Sequence, residues 1–552
     1  MDTRFIVSVE TVKIKNFLFS TNRLKVIRGA SYLLDYLNQI KVPEILKKYG
    51  LNEEQDIIYV GAGNAKFFVK DEETAKKIEK EIRDLYDLEA PGVHIACAHK
   101  ETYYGTGNVG KTKVWDDLNT LGEMIAIEKS KGFAIKNIDM PFIKKCEICG
   151  DNPAQISANN ISEDIQEITF RSSMFRETQS LEDRIKNSAP KTGLICEECL
   201  KKINAANHIK KNDTEVGFYQ YLNSHNIELK KTEEIDDYSN GKSFIGFMYS
   251  DGDGLGDFLK NVSKFYIKEK NSEDEYIKFL KTFSVTLDDM TKEALLKALK
   301  EIFNRYPDKD RKGEFLIVGG DDVCAVFDPE LVIEISRLFQ GYFETMMDEA
   351  MKKKMKNLPN NMPRITSSCG VIIAKSKTPM YQLFDQAMYL QKSAKKRRHE
   401  VRKKYPDISE TGFVDFEVIG SEGCVDIGKF REGLNEKGNL LIERPYSIKD
   451  LKIEDVKPMS HLIEIIEKLK KDKFPKTKIR EIYDLKRSNK EEFEKKMEIV
   501  DIISKMDEEH IKTIMKYFKV DIENYRNFNH LFNNIFDVLE IYDFVGGESN
   551  GN

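Results

Sequence analysis

Two stretches far apart in this chain share one pattern. FIVSVETVKIKNFL (5–18) can be set beneath IGFMYSDGDGLGDFL (245–259) so that Phe17 and Leu18 fall on Phe258 and Leu259. Glu10 then lies under Asp251, and Val12 under Asp253. IIYVGAGNAKFFV (57–69) likewise fits LIVGGDDVCAVF (316–327) with Val60 on Val318. Gly61 and Ala62 lie under Gly319 and Gly320, while Gly63 and Asn64 lie under Asp321 and Asp322. The apolar strand pattern and the tight turn are kept, in the same order, with helical periodicity between them. A duplication of this kind predicts two related α/β units packed together. One is armed with carboxylates and the other has lost most of them.

The rest of the chain predicts further domains. At 552 residues it exceeds one hydrophobic core, and three or four domains are expected. Apolar residues at 40% supply enough core material to exclude global disorder. The formal charge of -5 gives no overall attraction to nucleic acid, so a polyanion would need a local patch such as KSAKKRRHEVRKK (392–404). No secretory pattern opens the chain and no apolar run is long enough for a membrane helix, so a cytoplasmic protein without a membrane partner is expected.

The expected division is 1–140, 141–235, 236–450 and 451–547. The first and third segments carry the repeat. The second is polar and turn-rich, an insertion. In the third, SFIGFMYS, FLIVGGDDVCAVF, RITSSCGVIIA and VDFEVIG read as strands, and Pro379 stands near the start of a helix containing Lys395. The fourth reads as short helices in a small bundle, ending in a polar tail.

Phosphoryl transfer to a hydroxyl uses two divalent cations, held by carboxylates that converge from different strands. Asp251 directly follows a predicted strand, and Asp321 and Asp322 stand in a predicted hairpin turn. Gly319 and Gly320 permit a tight turn and close approach of a phosphate or metal. Mg²⁺ or Mn²⁺ needs only a few carboxylates plus substrate phosphates. Asp251 and Asp321 are read as shared ligands and Asp322 as the acid beside them. Asp253 either joins the site or caps the next helix. DGDG is not a calcium loop, because the closing glutamate is absent and position 262 is Val. Taken singly, each motif is also compatible with a plain polar turn.

With DGDG ahead of GGDD, the chain resembles palm domains of nucleotidyl cyclases and polymerases. More closely it resembles the large, polymerase-like subunit of type III CRISPR effector complexes. SSCGVIIAKSKTPM (367–380), AMYLQKSAKKR (387–397), VDFEVIG, ERPYS (443–447) and the early LKVIRGASYLLDYL carry the likeness. The resemblance implies an α+β protein with two ferredoxin-like palm subdomains, one degenerate and one catalytic. It also implies a zinc-binding insertion and a C-terminal helical bundle. It implies synthesis of cyclic oligoadenylates from ATP when the complex of guide RNA, small helical subunits and RNA-binding subunits engages target RNA. Asp251, Asp321 and Asp322 become the Mg²⁺ or Mn²⁺ site, and Asp253, Gly319, Gly320 and Lys395 line the nucleotide. A lysine on the helix after the hairpin suits a triphosphate, and a solvated basic face is its alternative. Ser367 and Ser368 are weaker candidates for a base or sugar. No His is followed by Asp, so cleavage of DNA by the family's His-Asp nuclease domain is not expected.

Cys146-x-x-Cys149 and Cys196-x-x-Cys199 frame the insertion. Two such pairs complete tetrahedral sulfur ligation, which predicts a structural zinc. Cys97, Cys324, Cys369 and Cys424 lie in or beside apolar strands and read as core. GTGNVGKT (105–112) has P-loop spacing with Lys111 and Thr112, but KETYY ahead of it is a poor strand and no acidic partner strand follows. A flexible glycine-rich loop is the preferred reading. A stand-alone cyclic nucleotide synthase and an RNA- and protein-binding scaffold remain rival readings of the whole, and a template-directed polymerase is disfavoured for lack of fingers and thumb.

Overall fold

The computed structural model describes residues 3–546 except 62, 107–111, 132–141, 155, 158–193, 212–214, 231, 233, 240, 242, 356–357, 360–361, 409, 421–425, 435–440 and 519–532. Lys111 and Cys424 therefore lie outside the described residues.

In chain order the first unit contains β1 (Arg4–Val12), α1 (Ile14–Leu18), α2 (Leu24–Tyr36), α3 (Val42–Lys48), β2 (Ile57–Gly61), β3 (Asn64–Val69), α4 (Glu72–Glu89), β4 (His94–Thr102) and α5 (Val114–Ser130). The short strands β5 (Ile156–Ser157) and β6 (Leu194–Ile195) follow, then α6 (Glu197–Lys211) and α7 (Gly217–Ser224). The second unit has β7 (Phe244–Asp253), α8 (Leu255–Phe265), α9 (Glu273–Arg305), β8 (Glu314–Gly319), β9 (Asp322–Phe327), α10 (Val332–Lys354), β10 (Thr366–Lys375), α11 (Met380–Lys404), β11 (Phe413–Ile419), α12 (Ile427–Leu434) and β12 (Tyr446–Ser447). Helices α13 (Met459–Lys471), α14 (Lys476–Arg487), α15 (Glu492–Ser504), α16 (Glu508–Phe518) and α17 (Ile535–Ile541) close the chain.

The two sheets have the same topology. The first has the order β2-β3-β1-β4, and the second contains β8-β9-β7-β10, with β11 and β12 added beyond β10. Each is a strand–helix–strand–strand–helix–strand unit in antiparallel pairing. Strand β11 alone joins in parallel, after the crossover through α11. Sequence made this order legible because each strand alternates apolar residues, as in Phe5, Val7 and Val9 on one face of β1. Helix starts follow local chemistry too. Asp71 caps α4 by accepting the Thr74 N–H at 2.7 Å, and Ala75, Ile78, Ile82 and Tyr86 form its buried stripe.

The halves pack reciprocally. Helix α2 of the first lies against β8 of the second, and α9 of the second lies against β2 of the first. Arg28 on α2 grips the fully buried Glu314 at the start of β8, with contacts of 2.9 and 2.5 Å, and the hydroxyls of Tyr219 and Tyr238 donate to the same carboxylate. Breaking such a buried pair leaves an uncompensated charge, so the joint is costly to open. Helix α6 seats on α2 so closely that a Cβ on Gly29 would fall 1.9 Å from the Lys202 carbonyl oxygen. The Lys202 ammonium is buried there and donates to the Phe17 carbonyl, to Ser20 and to Glu198.

The C-terminal helices dock on β11 through α17. Arg444 reaches Glu417 and Asp537 at 3.3 Å and also pairs with Glu540, and Arg431 pairs with Asp415 and Glu417 at 2.8 and 2.9 Å. Among the described residues, no helix is long and apolar enough to cross a membrane.

Candidate active site

Strand β7 runs between β9 and β10. Its last registered pair with β9 is Ser250 opposite Val323. Continuing that ladder sets Asp251 beside Asp322 and Gly252 beside Asp321. The strand is longer than the sequence suggests: pairing with β10 carries it through Asp253, so Asp251 lies on the strand rather than after it. Asp321 occupies the turn and Asp322 begins β9. Gly320 has φ +61°, as the first central residue of a two-residue hairpin loop requires.

The three aspartates meet at these strand ends. The Asp321 carboxyl lies in hydrogen-bonding range of Asp251, and its Oδ2 accepts the Gly252 N–H at 3.1 Å. The Tyr249 hydroxyl donates to Asp322 Oδ1 at 3.1 Å. The Lys395 ammonium donates to Asp251 Oδ2 at 2.6 Å and to the Gly252 carbonyl at 2.7 Å, and Gln391, one helical turn earlier on α11, donates to Asp251 at 3.3 Å. Burial first, and then the neighbouring Asp251, push the Asp321 carboxyl up to about 6. Burial, then Asp321 and Asp251, push Asp322 up to about 8. This crowd of acids is short of positive charge, with Lys395 as the cation bonded to it, so its donor set suits divalent ions. The three do not close around one ion. Among the described residues, the only group of three or more ligating side chains whose donor atoms all lie within 4.8 Å is the four cysteines. Carboxylates spread more widely fit ions that also draw ligands from a substrate.

Other expected residues are placed elsewhere. Asp253 is buried, and its Oδ2 accepts from Thr366 at 2.8 Å and Ser368 at 2.9 Å, with Arg398 at 3.7 Å. It neither faces the open side nor caps α8, whose N-cap is Gly254. The reason is register: Asp253 pairs with Thr366 inside the sheet. Ser367 and Ser368 are likewise fully buried in β10. Tyr249 and Gln391 were missed. Tyr249 could have been found from the two-residue period of the strand, and Gln391 from its four-residue step to Lys395.

The first half has other residues at the aligned positions. Glu10 stands opposite Asn64 in the ladder, as the aligned Asp251 and Asp322 do. The Thr11 N–H donates to the Gly63 carbonyl at 2.7 Å, where the aligned Gly252 N–H bonds the Asp321 side chain. The Thr11 side chain fills the space beside Gly63. Glu10 nevertheless keeps a lysine partner: Lys129 on α5 pairs with it, as Lys395 on α11 pairs with Asp251. Counted from Val114 and Met380, the two lysines hold the same place in their helices.

The cysteine cluster forms a separate centre. Cys146, Cys196 and Cys199 are buried, Cys149 is half-buried, and the four ligand atoms converge. A zinc–sulfur distance of about 2.3 Å places tetrahedral ligand sulfurs roughly 3.8 Å apart. Cys149 and Cys196 Sγ are 3.9 Å apart. The Ile148 and Cys199 N–H groups point at Cys146 and Cys196 Sγ, each at 3.4 Å, which favours thiolates. The set fits a structural zinc. Cys97, Cys324 and Cys369 are buried.

Residues 4–141 match the family described as Csm1 subunit domain B, and residues 244–403 match that described as Cas10/Cmr2, second palm domain. The fold is similar to the crystal structure of an apo Csm1-Csm4 cassette, with a TM-score of 0.52, 14% identity, and coverage of 98% of this chain and 70% of that one. The cassette in complex with pppApApA gives 0.53 at 13% identity, covering 98% and 69%. The cassette with cA3 gives 0.52 at 13% identity, covering 97% and 69%. Against the cassette with AMPPNP the chain spans about half of the relative's length, 53%. No curated protein matches the chain at the sequence level. The fold and the two matched domains define a palm-domain protein. By these two matched segments the chain is a Cas10-like subunit.

Proposed function

We propose that this chain is a metal-dependent nucleotidyltransferase that makes cyclic oligoadenylates from ATP inside a cytoplasmic RNA-guided effector complex. The observation that carries the reading is the meeting of Asp251, Asp321 and Asp322 beside Lys395 at the ends of adjacent strands. Csm1-Csm4 cassettes of similar fold in complex with one ATP and with cA3 support the same substrate class. In this reading residues 236–450 form the catalytic palm, 1–140 a degenerate one, 141–235 the zinc-binding insertion and 451–547 a helical domain. Guide RNA, target RNA and the smaller effector subunits are the expected partners.

Asp251 and Asp321 would hold Mg²⁺ or Mn²⁺, with Asp322 contributing to one ion. When bound, the ions supply the positive charge that favours loss of the hydroxyl proton and offsets charge on the departing diphosphate. The 3′-oxygen of one ATP forms a bond to the α-phosphorus of another, the α–β bridging bond breaks, and the proton passes to solvent. Repetition and a final intramolecular step close the ring. Tyr249 holds Asp322 in place. Lys395 would exchange its bond to Asp251 for a triphosphate oxygen once ions neutralise the acid. Zinc at Cys146, Cys149, Cys196 and Cys199 leaves no open ligand position, and its role is to staple the insertion.

The test uses the protein purified with its partners, ATP and Mg²⁺ or Mn²⁺, with and without target RNA, and reads products by mass spectrometry. Cyclic oligoadenylates are expected, and Asp321→Ala with Asp322→Ala should abolish them while leaving zinc content unchanged. Absence of diphosphate release under all these conditions would overturn the reading and favour a scaffold.

A further inference from the structure

The hairpin that carries Asp321 is gripped from outside its sheet. In a two-residue loop the central backbone groups ordinarily face water, because no ladder partner reaches them. Here both polar groups of Gly320 are taken by one helix. The Gly320 N–H donates to Asp288 Oδ1 at 3.1 Å, and its carbonyl accepts from the Thr291 hydroxyl at 2.6 Å. Both side chains stand on α9, one turn apart. Thr291 is fully buried, and Asp288 is held by Lys292, which donates to its other oxygen at 2.6 Å. Asp321 is meanwhile held from the other side through its carboxylate by the Gly252 N–H.

We propose that Asp288 and Thr291 are positioning residues for the catalytic turn. Fixing both polar groups of Gly320 sets the peptide planes on either side of it, and so sets where the Asp321 Cα projects its carboxylate. Neither touches substrate; both act through Asp321. The inference rests on the nucleotidyltransferase reading of the same site, and it assigns work to the middle of a 33-residue helix that carries no catalytic motif. Helix α9 also packs on β2 of the other half, so the grip on the turn is anchored where the halves meet.

Two readouts on the full chain with its partners test it. Hydrogen exchange across residues 316–324 needs no activity. Thr291→Val and Asp288→Ala should raise exchange at the Gly320 amide about tenfold, while Thr291→Ser and Asp288→Asn, which keep a donor and an acceptor, should restore protection. Steady-state diphosphate release from ATP is the second. Thr291→Val should lower kcat about 10-fold to 100-fold with KM for ATP within twofold and an unchanged thermal midpoint, and Thr291→Ser should recover it. Unchanged exchange in Thr291→Val and Asp288→Ala overturns the grip itself. Altered exchange with unchanged kcat, or a serine variant as slow as the valine variant, overturns the positioning role. If the wild-type complex releases no diphosphate, the functional reading and this positioning role fall together, while the exchange result still decides whether the grip exists.

Discussion

Gly252→Ala puts the site's geometry to the sharpest test. A Cβ built at Gly252 lies 2.6 Å from Asp321 Oδ2, 2.8 Å from its Cβ and 3.0 Å from Leu255 Cδ1. Carbon atoms rest at about 3.5 Å, so the Asp321 side chain must retreat by roughly 0.7 Å. The backbone at 252 lies in ordinary strand conformation, so the alanine itself adds no backbone strain. Overpacking should cost about 1 kcal/mol of stability. The retreat lengthens the Gly252 N–H bond to Asp321 and shifts one acid against Asp251. A displacement near 1 Å costs on the order of 10²-fold in rate, so a loss of about 10-fold to 100-fold in kcat is expected, or about 1.4–2.8 kcal/mol in barrier. Gly256→Ala is the control: a Cβ there meets nothing within 4 Å, and it should leave the rate unchanged. Diphosphate release measures the effect, and Mn²⁺ binding followed by electron paramagnetic resonance gives a second reading. Should Gly252→Ala turn over within threefold of wild type and bind Mn²⁺ equally well, the close seating of Asp321 against Gly252 would have no functional meaning.

Other outcomes follow from the packing. One zinc per chain is expected by elemental analysis, falling to none in Cys146→Ser with Cys199→Ser. That variant should also release α6 to limited proteolysis, and an intact metal-free module would contradict the stapling role. Gly29→Ala forces a methyl into the Lys202 carbonyl and should cost about 3 kcal/mol, read by urea unfolding; a midpoint unchanged from wild type would refute the close helix crossing. Lys486 is buried, and burial, opposed by Glu443 and aided by Lys495, lowers it to about 8. Its folded-state pKa lies below the unfolded value, so the folded chain binds fewer protons between about pH 8 and 10.5, and stability rises with pH across that window. Lys486→Met should therefore stabilise the C-terminal helices by up to about 3 kcal/mol at pH 7 and by less at pH 10. An equal gain at both pH values would show that burial does not depress this amine.

Much of this protein is legible in its sequence. That Asp251, Asp321 and Asp322 come together was legible because each stands in a short uninterrupted motif beside an apolar strand. The shared order of strands showed in the alternation of apolar residues, and Glu10, Gly63 and Asn64 stand where the other half has Asp251, Asp321 and Asp322. The cysteine pairs were readable because two-residue spacing is itself the geometry of a metal knuckle. These are local signals, carried by residues near one another in the chain.

What only the tertiary structure decided depends on register and on contacts across long separations. A one-place step along β7 separates Asp251, which faces its partner acids and Lys395, from the Gly252 backbone that seats Asp321; two places along, Asp253 is sealed inside the sheet by Thr366 and Ser368. DGDG reads the same in either arrangement, because pairing with β10 is not written in the motif. The lysine shared by both halves, Lys129 with Glu10 and Lys395 with Asp251, emerged only when two helices were seen to lie alike on their sheets. The grip of Asp288 and Thr291 on Gly320 left no mark in the sequence. A mid-helix Asp or Thr is ordinary until the fold brings a turn 29 or more residues away against it.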